Sequence, residues 1–154
     1  MSVISRILTL ILFVASTALL AQSEEELTKE AVQANKKLIV ATNMELTDQE
    51  KGFWPVYEEY QKELATVNER TLTLLRDYAK NYKNLTDAKA QALLKEYFAI
   101  QTEELDLKKR FVKKFEKVLP PQKVIRYYQV ENKLRAIIDY ELVDEIPLAK
   151  VPQK

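Results

Sequence analysis

The chain contains no His and no Cys, and Ser23 is the only serine after position 21. Ser–His–Asp and Cys–His nucleophile systems are therefore impossible, and zinc and haem lose their usual ligands. A carboxylate di-metal centre in a helix bundle needs Glu-x-x-His, which cannot occur here. Asp/Glu chemistry is what remains. Glu58–Glu59 and Glu103–Glu104 are adjacent pairs, but neighbours in a helix point about 100° apart, so neither is expected to share a proton. Both read as solvated helix faces. The expectation is a protein without enzymatic activity, cofactor or metal.

Two local stretches carry the other candidate chemistry. Residues 108–117 hold six basic side chains in ten, around Arg110, Phe111 and Phe115. Cations in the last turns of a helix complement its dipole, and Glu104–Lys108 and Asp106–Arg110 are spaced for i,i+4 pairing. Docking to an anionic surface, such as a membrane, or to an anionic partner is the competing reading. Phe53-Trp54-Pro55-Val56-Tyr57 is the second stretch. If the helix begins at Asp48, Pro55 lacks an interior amide and kinks it. The kink would either form a packed corner or open a concave aromatic patch. Phe53, Trp54, Tyr57, Tyr60, Arg110, Phe111 and Phe115 are the candidate protein-binding surface.

Helices must position these residues. A single glycine, Gly52, argues against β-hairpins and phosphate-cradling loops. Positions 53, 57, 60, 64, 67, 71, 74 and 78 form a 4-3-4-3 seam, which predicts a helix packed lengthwise on a partner. Thr47 with Glu50 makes a capping box, placing this helix from about Asp48 to Tyr82. Thr86 caps the next, from Asp87 to about Val118. Its apolar positions 94, 98, 105, 112, 115 and 119, flanked by 93, 97, 100, 107, 111 and 118, are wide enough for more than one partner. A polar helix from Glu24 to about Ala41 precedes this pair, and Pro121 opens a last helix that ends before Pro147. The expected fold is all-α with four helices, the two long central ones forming an elongated antiparallel hairpin.

Residues 1–21 read as a signal peptide: Arg6, an apolar stretch from Ile7 to Leu20, and the small residue Ala21 ahead of Gln22. The apolar stretch falls short of the roughly 20 residues that span a bilayer. Residues 22–147 are then one helical domain, and 148–154 a fraying tail. Arg6 is the only charge before position 22, so acidic and basic residues balance in the remainder. That balance gives no global attraction to nucleic acid. Without disulfides in an oxidising compartment, packing alone must hold the fold. Two long helices leave apolar stripes that a homodimer would cover.

Helix openings recur as Leu46-Thr47-Asp48-Gln49, Leu85-Thr86-Asp87-Ala88 and Leu119-Pro120-Pro121-Gln122. The chain resembles the Spy/CpxP group of periplasmic proteins, marked by Leu-Thr-x-x-Gln repeats, with Gln49 one place early and Pro120 in the position of Thr. The resemblance implies long-helix hairpins that pair into a curved cradle. It further implies a periplasmic ATP-independent chaperone or envelope-stress accessory protein, with protein clients or an envelope partner. Metal-binding relatives use His or Cys, so a metal role does not carry over. Binding to one specific envelope protein through a helix face is the alternative.

Overall fold

The computed structural model describes residues 33–144 and 146–150. The proposed signal peptide, and residues 24–32 of the expected first helix, lie outside that range. The chain divides into two units, Met1–Asn43 and Met44–Lys154, which are described separately. Among the described residues every α-helix expected from the sequence is present and no strand occurs. The fold is all-α with four helices.

The first helix, α1, covers 33–44. Near its C-terminal end Thr42 Oγ1 donates to Leu38 O at 2.9 Å and Asn43 Nδ2 to Ile39 O at 2.8 Å. Glu45 follows with φ 49°, the left-handed conformation that commonly stops a helix. This backbone is unfavourable for a side-chain-bearing residue. Two cations hold it: Lys123 Nζ donates to Glu45 O at 2.9 Å, and Arg126 pairs with the carboxylate at 2.7 Å.

The second unit is a three-helix arrangement of α2 (Phe53–Asn81), α3 (Asp87–Phe115) and α4 (Pro121–Asp144). With 29 residues each, α2 and α3 run about 43 Å at 1.5 Å per residue. They are antiparallel neighbours, and their cross-helix ion pairs record the register. Glu59 meets Lys114 at 2.7 Å and Glu63 meets Arg110 at 2.8 Å. Further along, Arg70 meets Glu103 and also Glu96 at 2.7 Å, and Asp77 meets Lys89 at 2.6 Å. The connection is a 3-10 turn, Tyr82–Asn84, after which Thr86 caps α3 by accepting from Lys89 N at 3.3 Å.

α2 starts later than the capping box suggests. Asp48–Glu50 forms a separate 3-10 turn, in which the Glu50 carboxylate accepts from the Thr47 amide at 2.8 Å and hydroxyl at 2.9 Å. The helix proper begins at Phe53, so Pro55 falls in its first turn. There the missing amide would have had no carbonyl inside the helix. The premise of a proline deep inside the helix is corrected accordingly, and burial of Phe53, Tyr57 and Tyr60 removes the concave aromatic patch. Gly52 sits at the N-cap because the α3–α4 turn comes close. A Cβ there would stand 3.1 Å from Val118 Cγ1.

α3 ends at Phe115 rather than near Val118, and Pro121 opens α4 as expected. Backbone approach is close between α2 and α3, whereas α4 meets the pair through long side chains. Tyr127, fully buried, fills the junction. Tyr128 OH donates to Lys108 O at 3.0 Å, and Arg135 reaches Asn68 Oδ1 at 2.9 Å and Glu104 Oε2 at 3.2 Å. The core therefore occupies the half of the hairpin nearest α4's start. Along the α2 seam, 53, 57, 60, 64 and 67 are buried, while 71, 74 and 78 are only half-buried. No helix among the described residues is long and apolar enough to cross a membrane.

Candidate functional site

The aromatic residues expected at a binding surface are the centre of the core. Phe53, Tyr60, Phe111 and Phe115 are fully buried and Tyr57 nearly so. Phe115 is the hub. Its ring centroid lies 4.7 Å from that of Tyr127, 5.5 Å from Phe53 and 6.1 Å from Tyr60. Each such pair adds about 0.5–1.5 kcal/mol beyond the area it buries. The contact-surface assignment of Phe53, Tyr57, Tyr60, Phe111 and Phe115 is thus corrected. Their 4-3-4-3 spacing faces them into the seam, and α4 closes over them. Trp54 is half-buried at the edge, its ring edge-on to Phe53 at 5.1 Å.

Arg110 is exposed, but its guanidinium is committed to Glu63 rather than to Asp106. Three lysines of the basic stretch are similarly engaged. Lys108 pairs with Glu104 at 2.7 Å, as its spacing predicts, and Lys109 reaches Asp106 at 3.6 Å. Lys114 pairs with Glu59 and lies 4.3 Å from the Phe111 ring centroid. These cations serve the hairpin, leaving less charge for an anionic surface. The adjacent carboxylates diverge as well: Glu103 turns to Arg70, while Glu104 is 7% exposed and turns to Lys108 and Arg135.

A buried polar cluster went unrecognised in the sequence. Gln61 and Glu131 are buried among Tyr57, Tyr60, Tyr127 and Tyr128. Gln61 Nε2 lies 3.3 Å from Tyr127 OH and 3.5 Å from Glu131 Oε2. Burial pushes all four phenols well above their ordinary range, and the Glu131 carboxylate adds to the shift. The Tyr57 and Tyr60 hydroxyls find no hydrogen-bond partner among the described residues. Glu131 is buried, and through Gln61 and Tyr127 the cluster cross-links α2 to α4. Among the described residues no group of three or more carboxylates converges to hold a metal ion.

An accessible apolar site lies at the other end of the hairpin. Beyond residue 67 the α2 seam residues are only half-buried; among the described residues Arg135 and Asp139 of α4 share a pocket with Thr71, Leu74 and Leu75. Leu74, Leu75 and Tyr78 of α2 face Leu93, Leu94 and Tyr97 of α3 across a groove of about 370 Å³. Leu85, Ala90, Ile146 and Ala149 complete its wall, almost wholly apolar. The C-terminal segment reaches this groove: Tyr78 OH donates to Pro147 O at 2.6 Å, and Ile146 is half-buried. This contact lies just ahead of the 148–154 tail that is expected to fray. Leu148 itself is 91% exposed. From Leu94 at the groove's edge, an exposed stripe runs along α3 through Phe98 and Leu105.

No family model, curated protein or solved structure matches this chain. Its own geometry carries the functional argument. The groove was missed because Leu74, Tyr78, Leu93 and Tyr97 repeat the same apolar period as the buried core. The one available signal was length: α4 has 24 residues against 29 in each hairpin arm.

Proposed function

We propose that this chain is an exported, periplasmic, non-enzymatic helical protein that binds apolar segments of other proteins, as an ATP-independent chaperone or envelope-stress accessory protein. The observation that carries this reading is the apolar groove at the distal end of the α2–α3 hairpin, continued by exposed Leu94, Phe98 and Leu105. Apolar surface left uncovered on a small charged protein is a marker of interaction sites. An unfolded chain offers what such a surface needs, extended backbone with aliphatic side chains. Export and the periplasmic setting rest on Arg6, the apolar stretch to Leu20 and Ala21, and on the resemblance described above.

The test is suppression of aggregation of a chemically denatured client, read by light scattering at equimolar protein. Protection should fall when Leu94 and Phe98 are replaced by Asp. A wild-type protein that leaves the scattering curve unchanged rules the chaperone reading out.

The linear stripe Leu94–Phe98–Leu105 favours a second reading, docking of one helix from a specific partner or a second copy. An amphipathic helix laid along α3 would cover all three residues at once. Sedimentation of the pure protein distinguishes self-association, which Phe98→Asp should then abolish.

A further inference from the structure

The groove between the distal halves of α2 and α3 is walled on one side by the chain's own C-terminal segment. Ile146 contributes to its wall, Ala149 does so three residues on, and the intervening Pro147 carbonyl accepts from Tyr78 OH at 2.6 Å. Residues 146–150 have no helical structure. The contact therefore has the form of extended-peptide recognition: one backbone carbonyl fixed by a phenol, and small or branched aliphatic side chains against an apolar floor. Leu148 points outward at 91% exposure while Ile146 and Ala149, three residues apart, line the groove, a spacing that fits three residues per turn in a polyproline-type segment. Pro147 brings no amide that would be left unpaired in this apolar wall.

We propose that this groove is a peptide-binding site for extended segments carrying a β-branched aliphatic residue followed by proline, and that residues 146–149 occupy it as an internal strap. The strap rests on the reading of this protein as a binder of unfolded chain, and it supplies that reading with a ligand class and a control. An outside segment of the same chemistry must displace Ile146 and take the Tyr78 hydroxyl for its own carbonyl. Occupancy by the tail lowers apparent affinity in proportion to the fraction of open groove, so a strap closed about nine-tenths of the time weakens an outside peptide about tenfold. Because the strap is tethered two residues beyond α4, its effective concentration is high, and weak contacts suffice to keep it closed.

The experiment uses the full chain and a fluorescein-labelled peptide with the sequence of residues 143–150, followed by anisotropy. Ile146→Asp expels the strap without touching any helix, and it should tighten peptide binding about tenfold over wild type. Leu148→Asp places the same charge on the outward residue and should leave affinity at the wild-type value. Tyr78→Phe combined with Ile146→Asp removes the phenol that an incoming carbonyl needs, and should reverse most of the gain. Equal affinity in wild type and Ile146→Asp overturns the proposal, as does a gain that Tyr78→Phe leaves intact. The two readings separate cleanly. Peptide binding without client protection removes the chaperone function and keeps the groove site. Client protection without a gain on Ile146→Asp removes the strap and keeps the chaperone.

Discussion

Arg135 of α4 places Nη2 3.2 Å from Glu104 Oε2 of α3 while its Nη1 donates to Asn68 Oδ1 of α2 at 2.9 Å. One guanidinium thus ties all three helices together at the level where the aromatic core ends. Glu104 is nearly buried and also holds Lys108. Removing its carboxylate leaves two cations short of an acceptor. We expect Glu104→Ala to destabilise the protein by about 1.5–3 kcal/mol, the range for hydrogen bonds to charged groups. Urea unfolding of the single and double mutants with Arg135→Ala should show a coupling of at least about 0.5 kcal/mol.

Phe115 and Phe98 lie on the same helix and separate stability from binding. Phe115 is fully buried at the aromatic hub, whereas Phe98 is 62% exposed. Phe115→Ala should cost about 3–5 kcal/mol, as buried Phe truncations do. Phe98→Ala should leave the urea midpoint within about 0.5 kcal/mol of wild type. Only the second is expected to weaken client binding in a folded protein.

Tyr60 brings an unpartnered hydroxyl into the core. A buried donor without a partner carries a desolvation penalty of about 1–3 kcal/mol, so deleting it while keeping the ring should help. Tyr60→Phe is expected to raise the thermal midpoint or leave it unchanged. A clear drop would mean the hydroxyl has a hydrogen-bonding role.

The same burial sets an alkaline limit. Tyr57, Tyr60, Tyr127 and Tyr128 have pKa values raised above 10.0 by desolvation, with Glu131 adding to it. Their folded forms hold the proton more tightly than the unfolded chain does. Stability from these groups is whole below pH 10 and declines as pH rises above it. Phenolate absorbance from these four should appear only together with loss of helical circular dichroism.

Glu50 sets an acid limit of opposite sign. Lys123 Nζ lies 2.5 Å from its carboxylate, and the Thr47 amide adds a second donor, holding it down to about 2 from 4.5. The folded form binds the proton more weakly than the unfolded chain. Its contribution is present above pH 4.5 and is lost as pH falls toward 2. Wild type and Glu50→Gln should differ in unfolding midpoint at pH 6 and converge near pH 2.

Period and caps made the helices legible in the sequence. The seam from Phe53 to Tyr78, the Thr86 cap and the Pro121 start all appear where their spacing puts them. Pro55 was misread because the Thr47–Glu50 box closes its own 3-10 turn, which no local rule distinguishes from the first turn of a long helix. The surface assignment of Phe53 and Phe111 failed for a related reason. An apolar period tells which side of a helix is greasy, but what covers that side depends on a third helix packing from far along the chain. Gln61, Glu131 and Arg135 were unreadable on the same ground, since polar residues declare burial only through their partners. The Tyr78–Pro147 contact joins residues 69 apart, beyond the reach of any periodicity.

The paired charges of α2 and α3 also work as a vernier. From Glu59–Lys114 through Glu63–Arg110 to Arg70–Glu103, each step up one arm matches an equal step down the other. Inserting one residue at the tip, within 82–86, can bulge outward and leave this register alone. Inserting one within either arm turns everything beyond it by about 100°, throwing every later pair and seam residue off its mark at once. Length changes in this hairpin must therefore arise at the tip, or as matched additions to both arms of whole seven-residue repeats.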